Sequence, residues 1–179
     1  TVVVLAMALV VAAGSLSPAD AQSRSIEEVM AAFIYQFTNY VEWPDNAFES
    51  KTSPLHICVV GNEAMFENLS KLTSGKKFND RSIELHHYES IDEVKSCHLL
   101  FVGSEVLEES ETMPEGHELI TLTVGDSKSF TRNGGVIRLF ESQSKVRIEI
   151  NIDAAKRGEF KISSKLLALA EIVHDENGD

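Results

Sequence analysis

The sequence predicts an α/β domain built on a mixed, mostly parallel sheet that is flanked by helices and followed by a late antiparallel hairpin. Short apolar segments that end at glycine alternate with helical patterns as far as residue 125, which is typical of parallel strands joined by helices. Two strand patterns then follow, at 135–142 and 145–151, with a few polar residues between them. Since no linker is long enough to separate two domains, we expect a single Rossmann-like domain.

The first 21 residues have the pattern of a secretory signal. Residues 2–14 are uncharged but too few for a membrane-spanning helix, which needs about 20 residues. Ala19, Asp20 and Ala21 then form an A-x-A cleavage pattern. The basic start of such a segment is missing, so we interpret 1–21 as a signal peptide truncated at its start and cleaved after Ala21. The alternative is an uncleaved anchor. Residues 22–179 are the expected exported domain.

The charge of the chain excludes some partners. The formal net charge is −12, which repels nucleic acid and anionic lipid surfaces over most of the protein. No second apolar run approaches the length of a membrane span. The sequence therefore predicts an acidic domain outside the cytoplasm that does not bind nucleic acid.

The first helix is predicted at 26–41, where apolar residues recur at helical spacing and also fill much of the remaining circumference. Pro44 ends this pattern. A helix so apolar packs on the sheet as a core layer, either alone or with a partner docked on it as well. The other predicted elements are strands at 55–60, 83–90, 98–102 and 118–124, and helices at 63–73, 91–96, 104–113 and 163–173.

The two cysteines, Cys58 and Cys97, lie in apolar segments that resemble buried strands. Two cysteines in an exported protein favour a disulfide, and the sulfur atoms can meet if the two strands are close in one sheet. The alternative is a pair of buried free thiols.

The sequence shows no catalytic or cofactor-binding motif. It has neither a G-x-G-x-x-G loop nor a G-x-S-x-G nucleophile, and we expect Glu63 to stand at a helix N-terminus where a phosphate would bind. A zinc site built from His86 or His87 with His98 and an acid is a weaker alternative to ordinary hydrogen-bonded histidines. We therefore expect no enzyme activity, no cofactor and no metal site.

One polar face of the hairpin is a candidate binding surface. Arg147, Glu149 and Asn151 alternate with apolar residues, so they share one side of the strand. They either solubilise that side or form directional contacts with a partner or ligand.

Several segments occur in an order that resembles the YfiR family of small exported bacterial proteins. They are AAFIYQFTNYVEWP, LHICVVG, CHLLFVG, LTVGD, GGVIRLF and VRIEINIDAAKRGEFKISSKLLALAEIV, and together they span about 28–173. The resemblance implies a periplasmic, non-catalytic regulator that forms homodimers. Such a protein binds the periplasmic sensor domain of an inner-membrane diguanylate cyclase and represses it, which lowers cyclic di-GMP signalling and biofilm formation. An outer-membrane lipoprotein can sequester the repressor.

The resemblance also assigns roles to particular residues. It implies that Cys58 and Cys97 form a disulfide. The family also has a second cysteine pair, near the late hairpin, but this sequence has no further cysteine. Tyr35, Tyr40 and Trp43 are expected at a dimer or partner surface, because aromatic anchors dominate such interfaces. The alternative function is a periplasmic small-ligand binding module of the same fold, with its site at the carboxyl ends of the parallel strands and no cyclase partner.

Overall fold

The computed structural model describes residues 24–107 and 120–175. The expected signal peptide, most of the expected helix 104–113 and the start of the expected strand 118–124 lie outside these ranges. The helices are α1 (Ile26–Tyr40), α2 (Glu63–Thr73), α3 (Ile152–Arg157) and α4 (Ser164–Leu167), with 3₁₀ helices at Asp45–Ala47 and Ile91–Glu93. The strands are β1 (Val41–Glu42), β2 (Leu55–Val60), β3 (Lys77–Phe78), β4 (Arg81–Tyr88), β5 (Leu99–Val102), β6 (Leu122–Gly125), β7 (Ile137–Ser142), β8 (Lys145–Asn151), β9 (Lys161–Ile162) and β10 (Ala170–Val173).

Eight strands form one mixed sheet in the order β10-β8-β7-β6-β5-β2-β4-β3. The pairs from β4 to β7 are parallel, as is the pair of β8 with β10, whereas β7 and β8 form the predicted antiparallel hairpin. The short strand β3 adds a second antiparallel pair at the other edge. Strands β1 and β9 form a separate two-stranded ladder. The predicted α/β class with a mostly parallel sheet is confirmed.

Helix α1 is a core layer, as its composition predicted. Ser25 and Glu28 form a reciprocal capping box at its start, which satisfies backbone N–H groups that the first turn leaves unpaired. Its buried face includes Ala31, Ile34 and Phe37, each of them 0 % exposed. This face and α2 cover one side of the sheet, where most of the apolar core lies.

The opposite side of the sheet carries a smaller apolar cluster. It contains the disulfide together with Val60, Leu100, Val102 and Phe130. In the described part of the chain it is covered by the segment around the 3₁₀ helix Ile91–Glu93 and by the turn that carries Phe130. The two faces therefore differ in how much apolar surface they bury.

The predicted helix at 163–173 is wrong. Helix α4 stops at Leu167, and Ala170–Val173 form strand β10, which pairs in parallel with β8. The leucines and alanines of this segment have helical spacing, but β8 offers an unpaired edge and β-branched Ile172 and Val173 suit a strand. Pairing with that edge overrides the local helical preference. Among the described residues, no helix has both the length and the apolar character needed to cross a bilayer.

Candidate functional site

The two cysteines are joined in a disulfide. Cys58 of β2 is bonded to Cys97, and their Cα atoms are 6.0 Å apart. Both side chains are essentially inaccessible, at 0 % and 1 % exposure. The expected pairing is confirmed, and a buried disulfide fits an oxidising compartment.

At the edge of the sheet where this fold class binds ligands, one of the protein's own carboxylates contacts the start of α2. Strand β2 lies between β4 and β5, so the strand order reverses there, and ligands of open α/β sheets bind beside the carboxyl ends of such strands. At this point the Glu105 carboxylate accepts a hydrogen bond from the backbone N–H of Asn62, at 2.8 Å, just before α2. A Cβ atom added to Gly103 would lie 2.8 Å from the same carboxylate. A larger residue at 103 would therefore require the Glu105 side chain to move.

Glu63 is the first residue of α2, as expected, but it is the Glu105 carboxylate that accepts the Asn62 N–H before this helix. The Glu63 carboxylate lies instead 3.2 Å from the Nδ1 atom of His87. Nearby, burial raises the pKa of Asp126, and the charge of Glu105 acts in the same direction while hydrogen bonds, first that from the Ser104 backbone, oppose the rise. An anionic ligand at this edge would meet two acidic side chains, which disfavours a phosphate or nucleotide there.

The histidines of β4 point to opposite faces, as the strand period requires. His87 stacks on Phe66 of α2, and its Nε2 atom lies 2.5 Å from the Gly61 carbonyl oxygen. His86 lies on the other face, where its Nε2 atom is 3.0 Å from the Nδ1 atom of His56. His56 was not singled out from the sequence, although its position two residues before Cys58 places both side chains on the same face.

His98 cannot take part in the zinc site considered from the sequence, because both of its ring nitrogens are engaged by backbone groups. Its Nδ1 atom accepts the N–H of His56 at 3.0 Å, and its Nε2 atom donates to the Ala47 carbonyl oxygen at 3.0 Å. The ring is 4 % exposed and stacks on Phe48, with 4.3 Å between ring centroids. Burial first, and then the charge of His56, lower the pKa of His98 to about 4.

Two of the three polar hairpin residues are not surface residues. Asn151 is 0 % exposed: its side-chain oxygen accepts the N–H groups of Asp153 and Ala154, which caps α3, and its amide donates to Thr131 and Asp175. Glu149 pairs with Arg138 at 3.6 Å and accepts the Thr131 hydroxyl.

The expectation that Asn151 forms a partner surface is therefore wrong, because its side chain is consumed in a buried cap. Glu149 is mostly covered within the same polar cluster, and it forms an ion pair with Arg138 of the neighbouring strand β7. Arg147 is exposed and stays a prediction.

The three aromatic residues expected at a partner surface differ in how exposed they are. Trp43 is 9 % exposed, packs edge-on against Phe78 and Phe160, and donates its indole N–H to the His98 carbonyl oxygen at 3.0 Å. Its expected surface role is wrong, because this side chain anchors the core. Tyr35 is half-buried, with the Lys76 ammonium 4.4 Å from its ring centroid. Tyr40 is 38 % exposed, so both tyrosines stay candidates.

An apolar groove of about 260 Å³ lies between α1 and α4 beside Tyr40. Its walls are formed by Phe33, Gln36, Phe37, Tyr40, Lys165, Leu166 and Leu169. Leu169 is 72 % exposed and Ile172, on the edge strand β10, is 44 % exposed. Both residues fall within the helix that was predicted at 163–173, so their sequence pattern does not reveal this surface.

These features define a class of protein: a disulfide-bonded α/β domain that carries acidic side chains at the usual ligand edge and an exposed apolar groove elsewhere. The profile of the YfiR/HmsC-like family matches residues 27–171. The chain belongs to this family. No curated protein matches the chain at a significant level.

Proposed function

We propose that the protein is a periplasmic regulator that binds the sensor domain of an inner-membrane diguanylate cyclase and keeps it inactive. The observation that carries the proposal is the match to the YfiR/HmsC-like family over 27–171. The buried disulfide and the carboxylate of Glu105 at the ligand edge are consistent with a binding protein that has no catalytic role.

The mechanism is a shift of the cyclase between two states. The regulator binds the inactive state of the sensor domain more tightly than the active state, and a hundredfold difference in affinity corresponds to about 2.7 kcal/mol. Lower cyclic di-GMP and less biofilm follow. Sequestration by an outer-membrane lipoprotein would release the cyclase by mass action.

The groove beside Tyr40 is the proposed docking surface for the sensor domain. It combines the exposed side chains of Tyr40 and Leu169 with Lys165 at its rim, and aromatic anchors at the centre of an apolar patch carry much of the energy of protein interfaces. Tyr35, on the same helix, is a further proposed contact, and Arg147, on the other side of the sheet, is proposed as a separate one. A homodimer is part of the proposal, and the edge strand β10, with Ile172 exposed, is its proposed contact.

The test is co-purification from the native host, followed by an affinity measurement. The protein is expressed with a C-terminal tag, cross-linked in cells and recovered from solubilised envelopes. Recovery of a membrane diguanylate cyclase, whose purified periplasmic domain then binds the regulator, is the expected result. If cross-linking recovers no cyclase, the proposed repression is contradicted. In that case, calorimetry against small metabolites would test the ligand-binding alternative.

A further inference from the structure

Three metal-binding side chains meet on the disulfide-bearing face of the sheet. His56 of β2 and Glu84 of β4 are directly opposite each other in the parallel register, and His86 lies two residues beyond Glu84. Residues two apart on a strand point to the same face, so the three side chains converge. Their donor atoms all lie within 4.8 Å of one another.

The distances between these donors suit a small tetrahedral ion. The His56 Nδ1 atom is 3.0 Å from the His86 Nε2 atom and 3.7 Å from the Glu84 Oε2 atom. Zinc binds imidazole nitrogen and carboxylate oxygen at about 2.0–2.2 Å, so two ligands of a tetrahedral zinc ion are separated by about 3.3 Å. These two separations lie on either side of this value, and the third pair of donor atoms lies within 4.8 Å.

We propose that His56, Glu84 and His86 bind a divalent transition-metal ion, with zinc as the ion of reference. Two imidazoles and a carboxylate are ligands that such ions accept, and three protein ligands leave one position open for water or for a donor from a binding partner. The inference does not depend on the proposed regulation of a cyclase.

The surroundings hold the histidine rings in place without blocking access. The His56 ring stacks between His86 and His98, with centroid distances of 5.2 and 5.5 Å, and His98 is itself fixed by its two backbone hydrogen bonds. Such second-layer contacts orient ligands and strengthen metal binding. The side chains of His56 and Glu84 remain 26 % and 50 % exposed, so an ion can enter from solvent.

The surroundings of His86 favour its uncharged form, which is the form that binds metals. Burial first, and then the charge of His56, lower the pKa of His86, while the charge of Glu84 opposes this shift. An uncharged imidazole keeps a lone pair for a metal. Without an ion, the same pair of rings shares one N–H hydrogen bond. Metal binding then requires that the shared proton move to the outer nitrogen of one ring or be released.

Calorimetry on protein purified without a histidine tag and treated with chelator tests the site. We expect one zinc ion per chain, tighter binding of copper(II), and no binding of magnesium, which prefers oxygen ligands. His86→Gln should weaken zinc binding by more than about 100-fold, since even the loss of an outer-layer contact costs 10–100-fold. Glu84→Gln, at a half-exposed position, removes the charge of a ligand but keeps an oxygen that can coordinate, so it should weaken zinc binding by at least about tenfold.

The matched control is His174→Gln, which removes an exposed histidine outside the site and should leave zinc binding unchanged. Nitrogen-15 NMR should show shifts at His56 Nδ1 and His86 Nε2 when zinc is added, and melting curves without zinc report whether each variant is folded. If zinc does not bind, if His174→Gln loses as much affinity as His86→Gln, or if a folded Glu84→Gln variant and His86→Gln both bind zinc normally, the proposed site is wrong.

Discussion

The two faces of the sheet are stabilised in different ways. The face under α1 and α2 buries a large apolar core in which Ile34, Phe37 and Phe101 are fully inaccessible. The opposite face has a smaller cluster, a disulfide within it and a row of stacked histidines beside it. Stability on the first face should depend on packing alone, whereas stability on the second should respond to redox state and to pH. The following changes test this contrast, from the largest expected effect on stability to the smallest.

Phe37→Ala should have the largest effect, because it empties a fully buried position between α1 and the rest of the core. We expect a loss of about 3–5 kcal/mol in the free energy of unfolding, measured by urea denaturation, with the same loss in the presence and absence of reductant. Gln36→Ala, an exposed neighbour on α1, should change stability by less than about 0.5 kcal/mol. A loss below about 1 kcal/mol for Phe37→Ala would show that this face is not the main core.

Removal of the disulfide should have the next largest effect. The two cysteines are 39 residues apart, and a bond closing a loop of this length contributes up to about 4 kcal/mol in the chain-entropy model. We therefore expect the Cys58→Ser, Cys97→Ser double variant to be about 2–4 kcal/mol less stable than the oxidised protein and insensitive to reductant. We also expect it to repress the cyclase less. Equal stability and equal repression would exclude a redox role for this bond.

Acidification should weaken the histidine-bearing face. The pKa of His98 is about 4 in the folded protein and 6.5 in an exposed histidine, so the unfolded chain takes up the proton first as the pH falls. The stability that the uncharged His98 ring contributes to the folded protein is complete above pH 6.5 and declines between pH 6.5 and about 4. Between pH 7 and pH 5 we expect a loss of about 1–2 kcal/mol.

Denaturation at the two pH values measures this loss, and two variants identify its source. His98→Gln should reduce the dependence of stability on pH, because the ring that titrates is gone. His174→Gln, which removes an exposed ring, should retain it. If His98→Gln leaves the pH dependence unchanged, the buried ring is not the group responsible.

Leu169→Arg should have the smallest effect on stability, within about 0.5 kcal/mol, because the side chain is 72 % exposed. It should nonetheless weaken binding of the cyclase sensor domain by about 30-fold or more, which corresponds to the loss of one interface hot spot of about 2 kcal/mol. Biolayer interferometry with the purified sensor domain measures the affinities of the wild type and of Leu169→Arg. Ser70→Arg adds the same charge on exposed α2 and should bind normally. Equal binding by both variants would move the interface away from the groove.

The features that sequence reasoning could predict are those set by local pattern. The apolar periodicity of α1, the glycine-ended strand β2 and the hairpin β7–β8 were all predicted, because each depends on residues that are close in the chain. The structure of residues 163–173 was not predicted correctly. Strand β10 forms there because the edge of β8 is available for pairing, and that edge is distant in the sequence.

The same limit applies to the side-chain clusters. The convergence of His56 with Glu84 and His86 requires the register between β2 and β4, which no single segment encodes. Two hydrogen bonds also join residues that are far apart in the sequence. The Asn62 N–H before α2 donates to the Glu105 carboxylate, and the Trp43 indole donates to the His98 carbonyl oxygen. Composition identified Trp43 as an aromatic anchor but could not tell an internal anchor from an external one.

The most direct test of the proposed function is the level of cyclic di-GMP in the native host. A strain that lacks the protein is complemented with the wild type, with Leu169→Arg or with Ser70→Arg, each at equal periplasmic abundance. We expect cyclic di-GMP to rise on deletion, the wild type and Ser70→Arg to restore the low level, and Leu169→Arg to fail to restore it. An unchanged level of cyclic di-GMP in the deletion strain would contradict the proposal that this protein represses a diguanylate cyclase.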